Sequence, residues 1–141
     1  MLERTIKFRK TLNKASPSGI ANYIFLGDLN TMGLNITYNN NDITGAEEIE
    51  RLQKRLNVST VQMQILGKTA PNTWWPGSNG SYEPADLDHV VAAKHLKFKK
   101  FAGKPVEARG WVEASTDSAK DAWVKKYSDH ALLYFEVQKV S

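Results

Sequence analysis

The chain has 141 residues, 41% hydrophobic and 24% charged, with 19 basic and 15 acidic side chains, a net charge of +4 and no cysteine. That length and composition fit one soluble globular domain over 1–141 with a single core, and exclude a disordered or disulfide-stapled chain. Lack of cysteine also removes thiolate metal sites and cysteine nucleophiles, and no apolar run reaches the ~20 residues of a membrane span.

The sequence pI of 9.3 mildly favours anionic partners. The basic residues are scattered, and the small cluster Lys97, Lys99, Lys100 and Lys104 reads as a solvated face, with a polyanion groove as the alternative. The N-terminal residues lack a signal peptide's apolar core, so a cytoplasmic setting is the default expectation.

Residues 2–14 place Leu2, Ile6, Phe8 or Arg9, and Leu12 at three-to-four-residue spacing, which predicts an amphipathic helix. Residues 16–19, Ser-Pro-Ser-Gly, end it. The run 21–26 is apolar and rich in aromatic and β-branched residues, so it reads as a buried strand. It delivers Asp28 and Asn30 at alternate positions, which an extended chain would point to one side. Asp28 is suited to bind a hard cation or orient a water, and Asn30 to donate to a phosphoryl oxygen. Ordinary turn chemistry for Gly-Asp-Leu-Asn is the competing reading.

Residues 35–42 form an Asn-rich loop with a turn at 39–42. Thr44 and Glu47 predict a capping box, followed by a helix with Ile49, Leu52 and Leu56 on its buried side. Its first-turn acids, Glu47 and Glu50 among them, match the helix dipole better than a metal. A short alternating piece over 61–66 leads to Trp74 and Trp75, flanked by Pro, Gly and Ser. One indole is expected in the core and the other on a ligand face, although packing of both is the simpler outcome.

Residues 85–93 read as a strand carrying Asp88 beside Val90 and Val91, where a carboxylate needs a partner such as a histidine or metal. Residues 104–114 alternate apolar and polar and predict a strand broken at Gly110. Residues 117–126 predict a short helix, and 131–137 a strand entered through Asp129 and His130.

Three motifs thus carry chemistry: Gly27-Asp28-Leu29-Asn30, Leu87-Asp88-His89-Val90 and Ser128-Asp129-His130. In this order they resemble the endonuclease/exonuclease/phosphatase superfamily of metal-dependent phosphodiesterases. The resemblance implies that His130 faces the scissile phosphate and is oriented by Asp88. Asp28 positions or deprotonates the attacking water, Asn30 binds phosphoryl oxygens, and Asp129 lies at or near a Mg²⁺ or Mn²⁺ ion. Trp74 and Trp75 belong to a loop where substrate selectivity is expected.

The implied fold is α/β (α+β): half of a four-layer α/β/β/α sandwich, with a mostly antiparallel sheet and flanking helices. Only the C-terminal half of such a domain is matched. Nothing before Asp28 resembles the half that supplies a metal-binding glutamate, since Glu3 sits in a helix rather than a strand. The implied function is hydrolysis of a phosphoester, nucleic acid included, by a metal-activated water. The chain alone is expected to be weakly active or inactive, and to pair with a copy of itself or with a missing N-terminal half. The alternative is a non-catalytic binding module of the same fold that keeps the acids as hydrogen-bonding groups. A basic single-strand-binding domain using Trp74 and Trp75 ranks behind both.

Overall fold

The computed structural model describes residues 2–35 and 38–140. Three α-helices are described: α1 (Leu2–Ala15), α2 (Gly45–Leu56) and α3 (Asp117–Lys126). Seven strands accompany them: β1 (Ile24–Asp28), β2 (Met63–Ile65), β3 (Asp88–Ala93), β4 (Leu96–Phe98), β5 (Glu107–Arg109), β6 (Leu132–Tyr134) and β7 (Val137–Val140). The fold is mixed, with every strand pair antiparallel. No helix among the described residues is long and apolar enough to cross a membrane.

β3 is the centre of a three-stranded sheet in the order β1-β3-β2. Its Val90, Val91, Ala92 and Ala93 are wholly buried. A strand covered on both faces loses the polar alternation of a half-exposed one, which is why this run is continuously apolar. On one face Val91 packs with Ile6 of α1, Leu56 of α2, Val61 and Met63. On the other, Val90 and Ala92 pack with Leu96, Phe98 and Leu133, from the ribbons β4-β7 and β5-β6, and with Val106 and Phe135 beside those strands. Strand parity therefore assigns Asp88 to the ribbon side and His89 to the helix side.

Local chemistry sets the element ends. Thr44 accepts the Glu47 amide, and the Glu47 carboxylate accepts the Thr44 N–H at 2.8 Å, the expected capping box. In α1 it is Arg9, not Phe8, that is buried; its guanidinium donates to the carbonyls of Val61 and Ala21. On α2 the buried side is Glu48, Leu52 and Leu56. The Glu48 carboxylate accepts the amides of Gly33 and Leu34, both at 2.8 Å, which explains a buried acid on a helix. Of the Asn-rich loop, residues 36 and 37 lie outside the described residues. Asn35 closes it with a bridge to Asn40 and ties it to α2 through Arg51.

The strand expected over 85–93 begins only at Asp88, and the run 21–26, expected as a buried strand, forms the partly buried edge strand β1. Two further predicted strands are also shorter than expected. The 104–114 segment is extended only over β5. Gly110 has φ +98°, and a β-carbon there would lie 2.8 Å from the Trp123 ring, so the chain turns sharply into a 3₁₀ turn over Trp111–Glu113. The 131–137 segment splits into β6 and β7, because the first half pairs with β5 and the second with β4.

Candidate active site

β1 and β3 pair with Asp28 directly opposite Asp88, at the end of the sheet. Like charges in this relation repel, so the pair needs a cation or a donor. The strand stops at Asp28. Its Oδ1 accepts the Asn30 N–H at 2.7 Å, and Asn30 itself has φ +52°, a left-handed conformation that Asn tolerates. The extended-chain alternation expected to align Asp28 with Asn30 therefore does not reach Asn30. The turn instead puts the Asn30 backbone N–H, not its carboxamide, on Asp28.

Asp88 is held by three neighbours. The hydroxyl oxygen of Thr73, a fully buried residue, accepts the amides of Leu87 and Asp88 at 3.0 and 2.8 Å. Lys68 donates to the Asp88 carbonyl at 2.6 Å. The carboxylate Oδ2 accepts from His130 Nδ1 at 2.8 Å.

The strip 73–75 makes that last contact possible. One side of it bonds to Ala85 through the Thr73 and Trp74 amides, and the other side to residues 129–131. There Ala131 N–H donates to Thr73 at 2.6 Å, and Trp75 N–H to Asp129 at 2.9 Å. His130 is thereby carried to Asp88, while Ser128 Oγ accepts its backbone N–H.

With Nδ1 on Asp88, the Nε2 of His130 remains for a ligand. Partial burial lowers the His130 pKa. The bond to Asp88 and the charges of Asp88, Asp129 and Asp28 outweigh it, so the net shift is upward from 6.5. The motifs separated in sequence thus meet around one imidazole. Trp74 joins them, its indole donating to Asp129 Oδ2 at 2.9 Å. Trp75 is engaged elsewhere: its indole donates to Asp121 at 3.0 Å, and its ring lies 5.9 Å from Trp111 with Lys120 Nζ 4.3 Å from its centroid.

No protein family, curated protein or solved structure matches this chain.

Beneath the site, on the helix side of β3, lies a buried polar network that sequence reasoning missed. The Thr31 hydroxyl donates to the Asp86 carbonyl and accepts from His89 Nε2 at 2.9 Å. That leaves His89 Nδ1 as the acceptor facing Lys68 Nζ at 3.4 Å. Burial, and then the Lys68 charge, hold the His89 pKa below 6.5. Lys68 is itself lowered by burial, with Asp86 opposing. Its ammonium donates to the Asp86 carboxylate, the Asp88 carbonyl and His89, so all three of its donors are used. His89 stood inside a motif already marked, and its neighbour Asp88 drew the attention. Lys68 and Thr73 carried no local signal.

Among the described residues, no three of His, Asp or Glu gather closely enough to hold a metal ion. Asp129 and Asp28 are exposed carboxylates, each with one oxygen already accepting a hydrogen bond. That donor set fits part of a metal shell, not a closed one.

Proposed function

We propose that the chain is a phosphoester hydrolase of the endonuclease/exonuclease/phosphatase kind. The observation that carries this reading is the 2.8 Å bond between His130 and Asp88, set among the carboxylates of Asp28 and Asp129. A phosphodiester in its transition state concentrates negative charge, and a site for it needs preorganised donors and positive charge. His130, its pKa raised by the bond to Asp88 and the neighbouring acids, donates from Nε2 to a phosphoryl oxygen in its protonated form. Asp88 fixes the ring and its tautomer. Asp28 orients the attacking water and takes its proton, and the Asn30 amide donates to a second phosphoryl oxygen.

A Mg²⁺ or Mn²⁺ ion, when bound, supplies charge neutralisation at the phosphoryl group. Asp129, oriented by Trp74, is the residue to hold it. Because the carboxylates present make only part of a shell, a further ligand has to come from outside the described residues, a second copy of the chain being one source. The layering of helices, sheet and ribbons supports reading the fold as half of a four-layer α/β/β/α sandwich.

The acids' existing hydrogen bonds, Asp28 to Asn30 and Asp129 to Trp74, favour one second reading: a binding module in which they are structural acceptors. Hydrolysis of a generic phosphodiester and of plasmid DNA, with Mg²⁺ or Mn²⁺ and with EDTA, separates the two. The hydrolase reading predicts slow turnover that EDTA abolishes and that rises more than linearly with protein concentration. Silence at every concentration favours the binding module. Brisk turnover by a strict monomer rejects the need for a partner.

A further inference from the structure

Past its far end from Asp88, β3 runs into a second concave surface of different chemistry. A cleft of about 520 Å³ opens between residues 64–67, β4 and residues 100–105. Lys94, Lys97, Lys100 and Lys104 line it with Gly67 and Pro105, and no acidic residue does. β3 has six residues, which separates its two ends by roughly 17 Å.

The fold gathers the four cations on one exposed surface. Lys94 donates to Asn57. Lys97 stands directly opposite Lys139 across β4 and β7, a like-charge cross-strand pair that destabilises the ribbon. Lys100 and Lys104 flank a two-residue turn, Ala102 and Gly103, with φ +45° and +81°. Phe101 and Lys104 close it by reciprocal backbone bonds of 2.8 and 2.9 Å, the pattern of a tight type I′ hairpin. This hairpin carries Lys100 and Lys104 to the lining of the cleft. Among the described residues, Lys97, Lys100 and Lys104 have no carboxylate partner.

We infer that this cleft is an anion site for a compact ligand carrying two or more adjacent phosphate groups, separate from the Asp88–His130 site. Four ammonium groups around one concavity repel each other and raise a positive potential that nothing lining the cleft offsets. A single carboxylate or monophosphate leaves most of that charge unmatched, whereas adjacent phosphates reach several lysines at once. The volume lies in the range of small-ligand pockets. The inference does not depend on hydrolysis.

Titration of the full chain with methylenediphosphonate, a non-hydrolysable diphosphate mimic, followed by backbone amide NMR, tests it. Saturable shifts are expected at Gly67 and over 96–104, with weaker binding of inorganic phosphate and steep weakening by salt. The triple variant Lys97→Ala/Lys100→Ala/Lys104→Ala should raise Kd at least tenfold. Lys7→Ala/Lys10→Ala/Lys14→Ala, which removes equal charge from exposed positions on α1, should leave it unchanged. His130→Ala should bind as wild type, whether or not the chain hydrolyses phosphoesters. Lack of saturable binding, shifts centred on His130, phosphate binding as tight as the diphosphonate, or equal loss in both triple variants would overturn the assignment.

Discussion

Asp28 and Asp88 face each other across two strands, and His130 Nδ1 supplies Asp88 with a hydrogen-bond donor. Replacing Asp88 with Asn removes the main source of its upward pKa shift, so the His130 pKa should fall in Asp88→Asn, measured by titrating the imidazole resonances. An unchanged value would place the shift elsewhere. The two histidines of β3 and the 130 position then respond to pH with opposite sign. His130 has a folded pKa above 6.5, so its contribution is complete below pH 6.5 and is lost as pH rises through the folded value. His89 has a folded pKa below 6.5. Its unfolded form takes up a proton first, and stability falls as pH drops below 6.5. His89→Gln should therefore flatten the acid-side slope of stability against pH, by at most about 1.4 kcal/mol per pH unit. An unaltered slope in denaturant unfolding between pH 5 and 6.5 would assign the acid sensitivity to other groups. Asp28, Asp88, Asp129 and His130 were all legible as residue types in short motifs. Lys68 and Thr73 were not, because each acts on backbone groups of a strand distant in sequence, and nothing beside them in the chain records that.

At the scale of elements, the strip 73–75 decides whether the site assembles. Thr73→Val keeps the shape but strands the buried amides of Leu87 and Asp88, at a cost of about 3 kcal/mol. Thr73→Ser keeps the acceptor and should cost less than half of that, by denaturant unfolding; equal losses would mean that packing, not the hydroxyl, matters. Helices α2 and α3 were readable because their ends are written locally, in a capping box at α2 and in first-turn acids and last-turn bases at both. The strand limits were not. Gly110 turns the chain because Trp123 occupies the space a side chain would need, and 131–137 breaks because its halves answer to different partner strands. Glu48 shows the same limit. It was readable as a dipole partner in a first turn, whereas its burial depends on the amides of Gly33 and Leu34 across the fold.

For the molecule as a whole, the mixed α and β character followed from the sequence, and the two-faced sheet explains the apolar run in β3. β1 is an edge strand with Leu26 exposed, and Leu132 and Tyr134 are exposed on β6. Apolar groups on an edge and an outer ribbon suit association with another polypeptide, as the proposed need for a further ligand requires. Sedimentation should accordingly show self-association, weakened by Leu26→Lys; a monomer at all concentrations would point to a separate partner chain. Under the proposed function, His130, oriented by Asp88 and served by Asp28, takes part in phosphoester hydrolysis. The most direct measurement is the Mg²⁺-dependent phosphodiesterase rate of wild type, His130→Ala and Asp28→Asn at one protein concentration. The account predicts a fall of at least about 100-fold in each variant with the fold retained. Hydrolysis at the wild-type rate in either variant would contradict it.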